Sequence, residues 1–440
     1  MKKVEPRTLA GFMELLPNEQ ILFETMKQKI EKTYQKYGFL PLDTPILELS
    51  EVLLAKAGGE TEKQIYNFKK GDTDIAMRFD LTVPLAKYVA KNYGNLSFPF
   101  RRYQIGKVYR GERTQKGRFR EFYQCDIDII GDETLSLAND AELPSIIYDL
   151  FKSLGFDDFT ICINNRKILN GLFESLNQKD NAMEILRIID KIDKIGAEAV
   201  SEELEKINIQ KNVISKIMEF LKISGSNDEK IKKLKELKLE NDTYNLGVQE
   251  LEEVIKYIRL FNVPEQNFKI DLNIARGLDY YTGTVYETFL NDYREIGSIC
   301  SGGRYDNLAE FYTDKKLPGV GISIGLTRLF YKLNEMNLIK TEKKSISDVL
   351  VIPMTENMEV AIKLANELRK EDINTEVFLN DKKLKAKMKY ADKLEIPFAI
   401  VVGEDEINNN KFKLKNMKTG KETEFRFDSI FKIKEILKNE

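Results

Sequence analysis

Arginines and carboxylates at strand-like spacing are the first feature of this 440-residue sequence that could do chemistry. Eight basic residues (Arg101, Arg102, Lys107, Arg110, Arg113, Lys116, Arg118 and Arg120) stand within 101–120 against one acid, Glu112. The apolar pattern around them predicts two strands, at about 103–110 and 119–130, joined by a polar tip at 111–117. Side chains alternate faces along a strand, so Arg120, Gln124 and Asp128 are expected on one face, with Arg110 in the neighbouring row. A guanidinium, an amide and a carboxylate in line suit a ligand floor, because arginine grips phosphate or carboxylate with two parallel hydrogen bonds. The same charges suit the solvated face of an edge hairpin equally well.

Other chemistries are excluded by composition. The chain has no histidine, which removes Ser-His-Asp triads, Cys-His pairs and histidine-ligated metals. Adenylyl and phosphoryl transfer pass this filter, since they rest on positioned charge more than on a proton shuttle. Cys125, Cys162 and Cys300 form no CxxC pair, which argues against a zinc ribbon or disulfide scaffold and for a reducing compartment. Lys plus Arg number 69 and Asp plus Glu 71, a net charge of −2, so any nucleic-acid contact must come from local basic patches. The first dozen residues lack the apolar stretch of a secretory signal, and the apolar run 396–402 is too short to cross a bilayer. A cytoplasmic protein with no membrane partner is expected.

The elements that must position these residues can be read coarsely. Residues 18–37 read as an amphipathic helix, with Ile21, Leu22, Met26, Ile30 and Tyr34 at helical spacing, Asn18 as cap and Gly38 as stop. Pro41 and Pro45 keep 39–49 extended. From 167 to 262 the texture turns to Lys, Glu, Ile and Leu, predicting helices such as 181–192 and 247–260. Strand texture returns at 268–290 and 298–325, followed by a helix at 326–338. Strand candidates at 349–352, 377–379, 399–402 and 412–414 alternate with helices near 358–370 and 382–394, predicting a small α/β domain. The expected class is α+β. The expected division is a core at 1–166 and 263–340, a helical insertion at 167–262 and a C-terminal α/β unit at 347–440.

Several stretches resemble a known family. The run from Tyr109 to Gln124 resembles motif 2 of the class II aminoacyl-tRNA synthetases in its histidyl form. The run Arg276-Gly-Leu-Asp-Tyr-Tyr-Thr-Gly283 is similar to a stretch characteristic of histidyl-tRNA synthetases. Ser301-Gly-Gly-Arg-Tyr-Asp-Asn-Leu308 resembles their second such stretch, and Gly319 to Phe330 resembles motif 3. The resemblance covers nearly the whole chain. It implies an antiparallel-sheet catalytic core with a helical insertion and a C-terminal anticodon-binding domain. It further implies activation of L-histidine with ATP and Mg2+, transfer to tRNA(His), a homodimer with Pro45 near its interface, and no protein-ligated metal.

Site roles follow residue by residue from the same resemblance. Arg110 and Arg276 are the catalytic arginines at the α-phosphate and also bind histidine, Arg110 at its carboxylate. Glu112 and Phe122 hold adenine, and Arg118 and Arg328 hold the γ-phosphate. Asp80 takes the α-ammonium group, beside Thr82. Gln124, Asp128, Tyr280 and Tyr281 line the histidine pocket, with Asp128 accepting from the imidazole and Tyr281 satisfying the other nitrogen. Bacterial members often carry glutamate in place of Asp128, a difference of one methylene in reach. An Asp-x-Thr before Val83-Pro84 also reads as a helix cap, a lone Gly302-Gly303 as a loop, and a tyrosine pair as buried strand. Lys382, Lys383, Lys385, Lys387 and Lys389 read either as a solvated face or as phosphate-neutralising residues. The alternative of a different class is a histidine-binding regulatory subunit of ATP phosphoribosyltransferase. Such paralogues usually lack the C-terminal domain and erode the arginines matching Arg110 and Arg276.

Overall fold

The computed structural model describes residues 3–55, 60–113, 116–274, 280–340, 343–356 and 358–438. The chain forms two compact units, Met1–Met13 with Met26–Met336, and Glu14–Thr25 with Asn337–Glu440.

In the first unit, an eight-stranded sheet carries the site. Its strands are β1 (Leu40–Pro41), β5 (Phe100–Tyr109), β6 (Glu121–Ile130), β7 (Phe159–Asn165), β8 (Phe268–Ile270), β9 (Thr284–Leu290), β10 (Cys300–Tyr305) and β11 (Gly319–Gly325). The spatial order is β1-β5-β6-β11-β10-β9-β7-β8. The run from β5 to β7 is antiparallel, and the short edge strands β1 and β8 join it in parallel. This is the antiparallel core expected from the sequence. A second sheet holds β2 (Leu47–Leu49), β3 (Asn67–Lys70) and β4 (Thr73–Met77) in the order β2-β4-β3.

Helix α1 spans Pro17–Lys36, one residue earlier than expected. Asn18 is inside the first turn and not its cap; proline at the first position has its φ preset and no N–H to satisfy, and the Leu16 N–H reaches Glu19 Oε2 at 3.1 Å. Gly38, at φ +75°, stops the helix as predicted. Met26, Ile30 and Tyr34 are buried, and the Tyr34 hydroxyl donates to the Cys125 carbonyl at 3.0 Å. Short helices α2 (Ser50–Leu54) and α3 (Glu60–Gln64) precede α4 (Thr82–Asn92), and α5 (Ala138–Leu154) packs on β10 and β11.

The lysine- and glutamate-rich stretch is helical: α6 (Arg166–Ser175), α7 (Ala182–Ile189), α8 (Ile192–Lys206, broken at Gly196), α9 (Lys211–Leu221), α10 (Asn227–Glu236) and α11 (Asp242–Leu260). Helix α11 begins five residues before the expected start at Gly247. Asn241 caps it, accepting the Tyr244 N–H at 2.8 Å. Gly247 lies inside because α6 crosses there: a Cβ on Gly247 would stand 2.8 Å from the Ile168 nitrogen, and one on Gly171 would lie under 2.5 Å from the Tyr244 nitrogen. Helix α12 (Leu326–Glu335) closes the unit's sequence.

The second unit is the predicted α/β pattern. Its sheet runs β13 (Thr375–Val377), β12 (Val349–Pro353), β14 (Phe398–Val402), β15 (Lys411–Asn416) and β16 (Glu422–Arg426). One face packs Val349, Val351, Ile400 and Val402 against α13 (Glu359–Lys370) and Ile433 of α16 (Ile433–Lys438). The other packs Leu350, Ile352 and Ala399 against α14 (Leu384–Lys393). Helix α15 (Glu404–Asn408) joins β14 to β15. The sequence reading missed β16, an edge strand in which only Phe425 is buried. In the lysine run, Lys387 must be corrected. It is buried and donates to the Pro353 carbonyl at 2.7 Å, whereas Lys382, Lys383, Lys385 and Lys389 are exposed.

Candidate active site

A cavity of about 410 Å³ opens on one face of the large sheet. Strand β6 supplies its floor: the pleat aims Phe122, Gln124, Asp126 and Asp128 into it at every second position. Three glycines keep this floor open to its neighbours. A Cβ on Gly321 would collide with Asp128 Oδ1, and one on Gly302 with the Gly321 carbonyl. A Cβ on Gly303 would meet the Tyr281 ring at 2.9 Å. Gly302 and Gly303 therefore lie within β10 and form no loop, contrary to the simpler sequence reading.

Arg110 stands just past the end of β5. Its N–H pairs with the Arg120 carbonyl at 2.9 Å, and its Nε donates to the Phe79 carbonyl at 3.2 Å. The guanidinium is sandwiched 4.3 Å from the Phe79 ring centroid and 5.0 Å from that of Phe122. Burial lowers its pKa, and the nearby charges of Asp80 and Glu112 oppose that effect. Glu112 and Arg118 both line the cavity and pair at 3.3 Å.

Arg328, in the first turn of α12, also lines the cavity, with Nη2 donating to the Ile296 carbonyl at 2.7 Å. Gly297 makes room for it: a Cβ there would be 3.0 Å from Nη2. Where β11 runs into α12, the Thr327 hydroxyl accepts the Tyr123 N–H at 2.8 Å, fixing that helix to β6.

Asp80 and Thr82 line the wall beside Arg110. Asp80 Oδ1 accepts the Val83 N–H at 3.0 Å, so the capping reading and the cavity reading both hold for this residue. Burial raises its carboxyl pKa, countered by that N–H and by Arg110. Tyr280 and Tyr281 meet edge to face at 4.9 Å and complete the wall. Burial holds both phenols well above their ordinary range, so they remain neutral hydrogen-bond donors. Arg276 lies outside the described residues.

One expected site neighbour is misplaced in the sequence reading. Arg120 precedes β6 and does not share its face. Its N–H donates to the Gly11 carbonyl at 2.7 Å and its Nε to the Glu112 carbonyl at 3.2 Å, so the N-terminal segment draws it out of the row.

Three residues were missed. Arg102, fully buried, sits opposite Asp128 in the β5–β6 register and donates from Nη2 to Asp128 Oδ2 at 2.6 Å and to the Leu81 carbonyl at 3.2 Å. Tyr305 donates to Asp128 Oδ1 at 2.7 Å. Asp126, 2% exposed, shares the parity of Gln124 and Asp128. Burial pushes Asp128 up to about 6, against the pull of Arg102 and Tyr305. Burial pushes Asp126 up to about 7, with Arg102 opposing. All three cysteines are buried and unpaired, with thiols pushed up chiefly by burial. Among the described residues, no three Asp, Glu or Cys side chains group as a metal cage, and no helix is long and apolar enough to cross a membrane.

Comparison with known proteins points to one family. The histidyl-tRNA synthetase family profile matches residues 11–329, and that of an anticodon binding domain matches 348–437. The histidine–tRNA ligase of Clostridium tetani is 59% identical over 98% of this chain and 99% of its own length. That of Finegoldia magna is 52% identical over 97% and 99%. The crystal structure of histidyl-tRNA synthetase from Nostoc sp. PCC 7120 is similar with a TM-score of 0.89 and 42% identity, covering 99% of this chain and 100% of that one. An ATP phosphoribosyltransferase regulatory subunit/histidyl-tRNA synthetase from Bacillus halodurans shares the fold at 20% identity, with a TM-score of 0.74 over 88% of this chain and 97% of that one. With both domains matched and full-length relatives more than half identical, the chain belongs to the histidyl-tRNA synthetase family.

Proposed function

We propose that this chain is a histidine–tRNA ligase, which joins L-histidine to ATP and passes the histidyl group to tRNA(His). One observation carries the reading: a half-buried guanidinium, Arg110, and a cluster of carboxylate, amide and phenol groups face one cavity in a chain of this family. The histidine carboxylate attacks the α-phosphorus of ATP, the bond to the β-phosphate oxygen breaks, and pyrophosphate leaves. Arg110, with Arg276, stabilises charge growing on the α-phosphate oxygens, and this preorganised charge needs no general base. Arg118 and Arg328 hold the γ-phosphate, and Glu112 and Phe122 hold the adenine. Mg2+ enters with ATP as part of the substrate. A terminal ribose hydroxyl of the tRNA then attacks the histidyl carbonyl, and AMP leaves. The hydroxyl proton goes to a phosphate oxygen of the adenylate, since the chain contains no histidine base.

Histidine is held by Asp80 and Thr82 at its ammonium group and by Gln124, Asp128, Tyr280 and Tyr281 around its side chain. Neutral imidazole offers one N–H and one lone pair, and a ligand lacking them leaves buried polar groups unpaired. The core is taken as 1–166 with 263–340, interrupted by the helical insertion 167–262. The unit 347–440 contacts the tRNA anticodon, and the enzyme works as a cytoplasmic homodimer. ATP–pyrophosphate exchange with each amino acid in the absence of tRNA tests the reading. Exchange with histidine alone is expected; histidine binding without any exchange is the behaviour of the regulatory paralogue and overturns it.

A further inference from the structure

Arg78 is a deeply buried guanidinium that is not among the residues lining the cavity. It is 3% exposed and follows directly on β4. Its side chain bridges two other segments of the chain. Nε donates to the Lys107 carbonyl on β5 at 2.7 Å, and Nη1 donates to the Thr44 carbonyl and, at 3.3 Å, to Asp43 Oδ1. The backbone repeats the link: the Arg78 N–H donates to the Ile46 carbonyl at 2.9 Å, and the Arg78 carbonyl accepts the Tyr109 N–H at 3.0 Å. The Asp43 side chain is 85% exposed, so that ion pair contributes little and the grip rests on carbonyls. Strand β5 is shaped to admit it, since a Cβ on Gly106 would stand 2.5 Å from Arg78 Nη2. Desolvating a cation to hold carbonyls is costly, and an apolar side chain could pack these segments as well. The grip therefore calls for a reason beyond stability.

We propose that Arg78 is a positioning residue for the activation step, which holds Phe79 against β5 so that the Arg110 guanidinium is aimed at the α-phosphate. The inference rests on the function proposed above and deepens it. Arg110 depends on both of the parts that Arg78 joins. Its Nε donates to the Phe79 carbonyl at 3.2 Å, and its guanidinium lies 4.3 Å from the Phe79 ring centroid, so the residue next to Arg78 sets one N–H and one face of the catalytic group. Its backbone continues from Tyr109, whose N–H is held by the Arg78 carbonyl. The planar fork of Arg78 sends its N–H groups in fixed directions, toward Lys107 on one side and Thr44 on the other, which fixes the spacing of platform and strand. Asp80 depends on Arg78 less, because its Oδ1 is held by the Val83 N–H in the first turn of α4. Loss of the fork accordingly acts on the charge stabilised in the transition state more than on the binding of histidine.

The test uses the full chain in histidine-dependent pyrophosphate exchange, with active sites counted by the burst of ATP consumed on mixing with histidine in the absence of tRNA. Arg78→Gln is expected to lower kcat per active site by about 10- to 100-fold, the cost of misplacing a catalytic group by about an ångström, while KM for histidine and for ATP stays within about threefold. Arg78→Lys keeps the charge without the fork and is expected to recover only part of that rate. Gly106→Ala leaves Arg78 in place and pushes a methyl group at its Nη2, so the same split in smaller measure is expected; it serves as the second variant should the Arg78 variants fail to fold. Wild-type kcat per active site in these variants, with only a lower melting temperature or fewer active sites, overturns the proposal, because a purely structural residue changes how much enzyme is folded and not how fast each site turns over. Variants that match a wild type active in exchange remove this inference and leave the ligase reading standing. A wild type that catalyses no exchange removes both.

Discussion

At the scale of single residues, the site is governed by what burial does to charge. Arg102 has no exposed surface, and its Nε and Nη1 have no hydrogen-bond partner, so its charge is balanced chiefly by carboxylates on the neighbouring strand. Replacing one member of such a pair strands the other in a low-dielectric interior, at about 3–5 kcal/mol. Asp128→Ala is therefore expected to abolish histidine-dependent pyrophosphate exchange and to lower the melting temperature as well. Exchange near the wild-type rate would show that Asp128 neither holds the pocket together nor contacts its ligand. Much of this site was legible in advance. Asp80, Thr82, Arg110, Glu112, Arg118, Phe122, Gln124, Asp128, Tyr280, Tyr281 and Arg328 all line the cavity, because each sits in a stretch with a recognisable pattern. Arg102 was not legible. Its meaning depends on facing Asp128 across the hairpin, a register that hydrophobic alternation in one strand does not fix. Asp126 is legible by strand parity alone, since it shares the face of Gln124 and Asp128.

Secondary-structure elements were read well where the apolar period was strong and poorly where tertiary contacts set the boundary. The long antiparallel pair β5 and β6 was placed within about three residues at every end. Strand β16 was invisible because a two-sided strand at a sheet edge needs few apolar residues, and its sequence alternates glutamate with small polar or single apolar positions. The start of α11 was misjudged for a different reason. Glycine reads locally as a helix boundary, but Gly247 is demanded by the close crossing of α6, which leaves no room for a methyl group. Adding one there is overpacking, which costs about 1–3 kcal/mol. Gly247→Ala should accordingly lower the thermal midpoint while leaving the KM for histidine of the folded enzyme unchanged, since the crossing is remote from the cavity lining. Circular dichroism melts and steady-state exchange assays separate the two effects; an unaltered melt would mean that α6 and α11 do not pack this closely.

For the whole molecule, the net charge of −2 rules out global attraction to a polyanion, so affinity for tRNA has to be concentrated in particular places. The second unit offers one such place at the start of α14, where Lys382, Lys383, Lys385 and Lys389 are exposed on and just ahead of the helix. Lys387 does not belong with them, because its ammonium is spent on the Pro353 carbonyl inside the unit. Each phosphate neutralised by a lysine releases counterion, worth about 0.7 in the slope of log affinity against log salt for a single-stranded segment. Changing the four exposed lysines together to glutamine should therefore weaken tRNA binding and flatten that slope by up to about 3. The same variant should keep wild-type pyrophosphate exchange with histidine, because that step involves no tRNA and the cavity belongs to the other unit. Lys387→Gln should do the reverse, removing a buried donor and destabilising the second unit while leaving the salt slope of the remaining folded protein intact. Filter-binding titrations over a range of salt concentrations measure both slopes. If the quadruple variant binds tRNA with an unchanged slope, these lysines are an ordinary solvated face and the polyanion is held elsewhere.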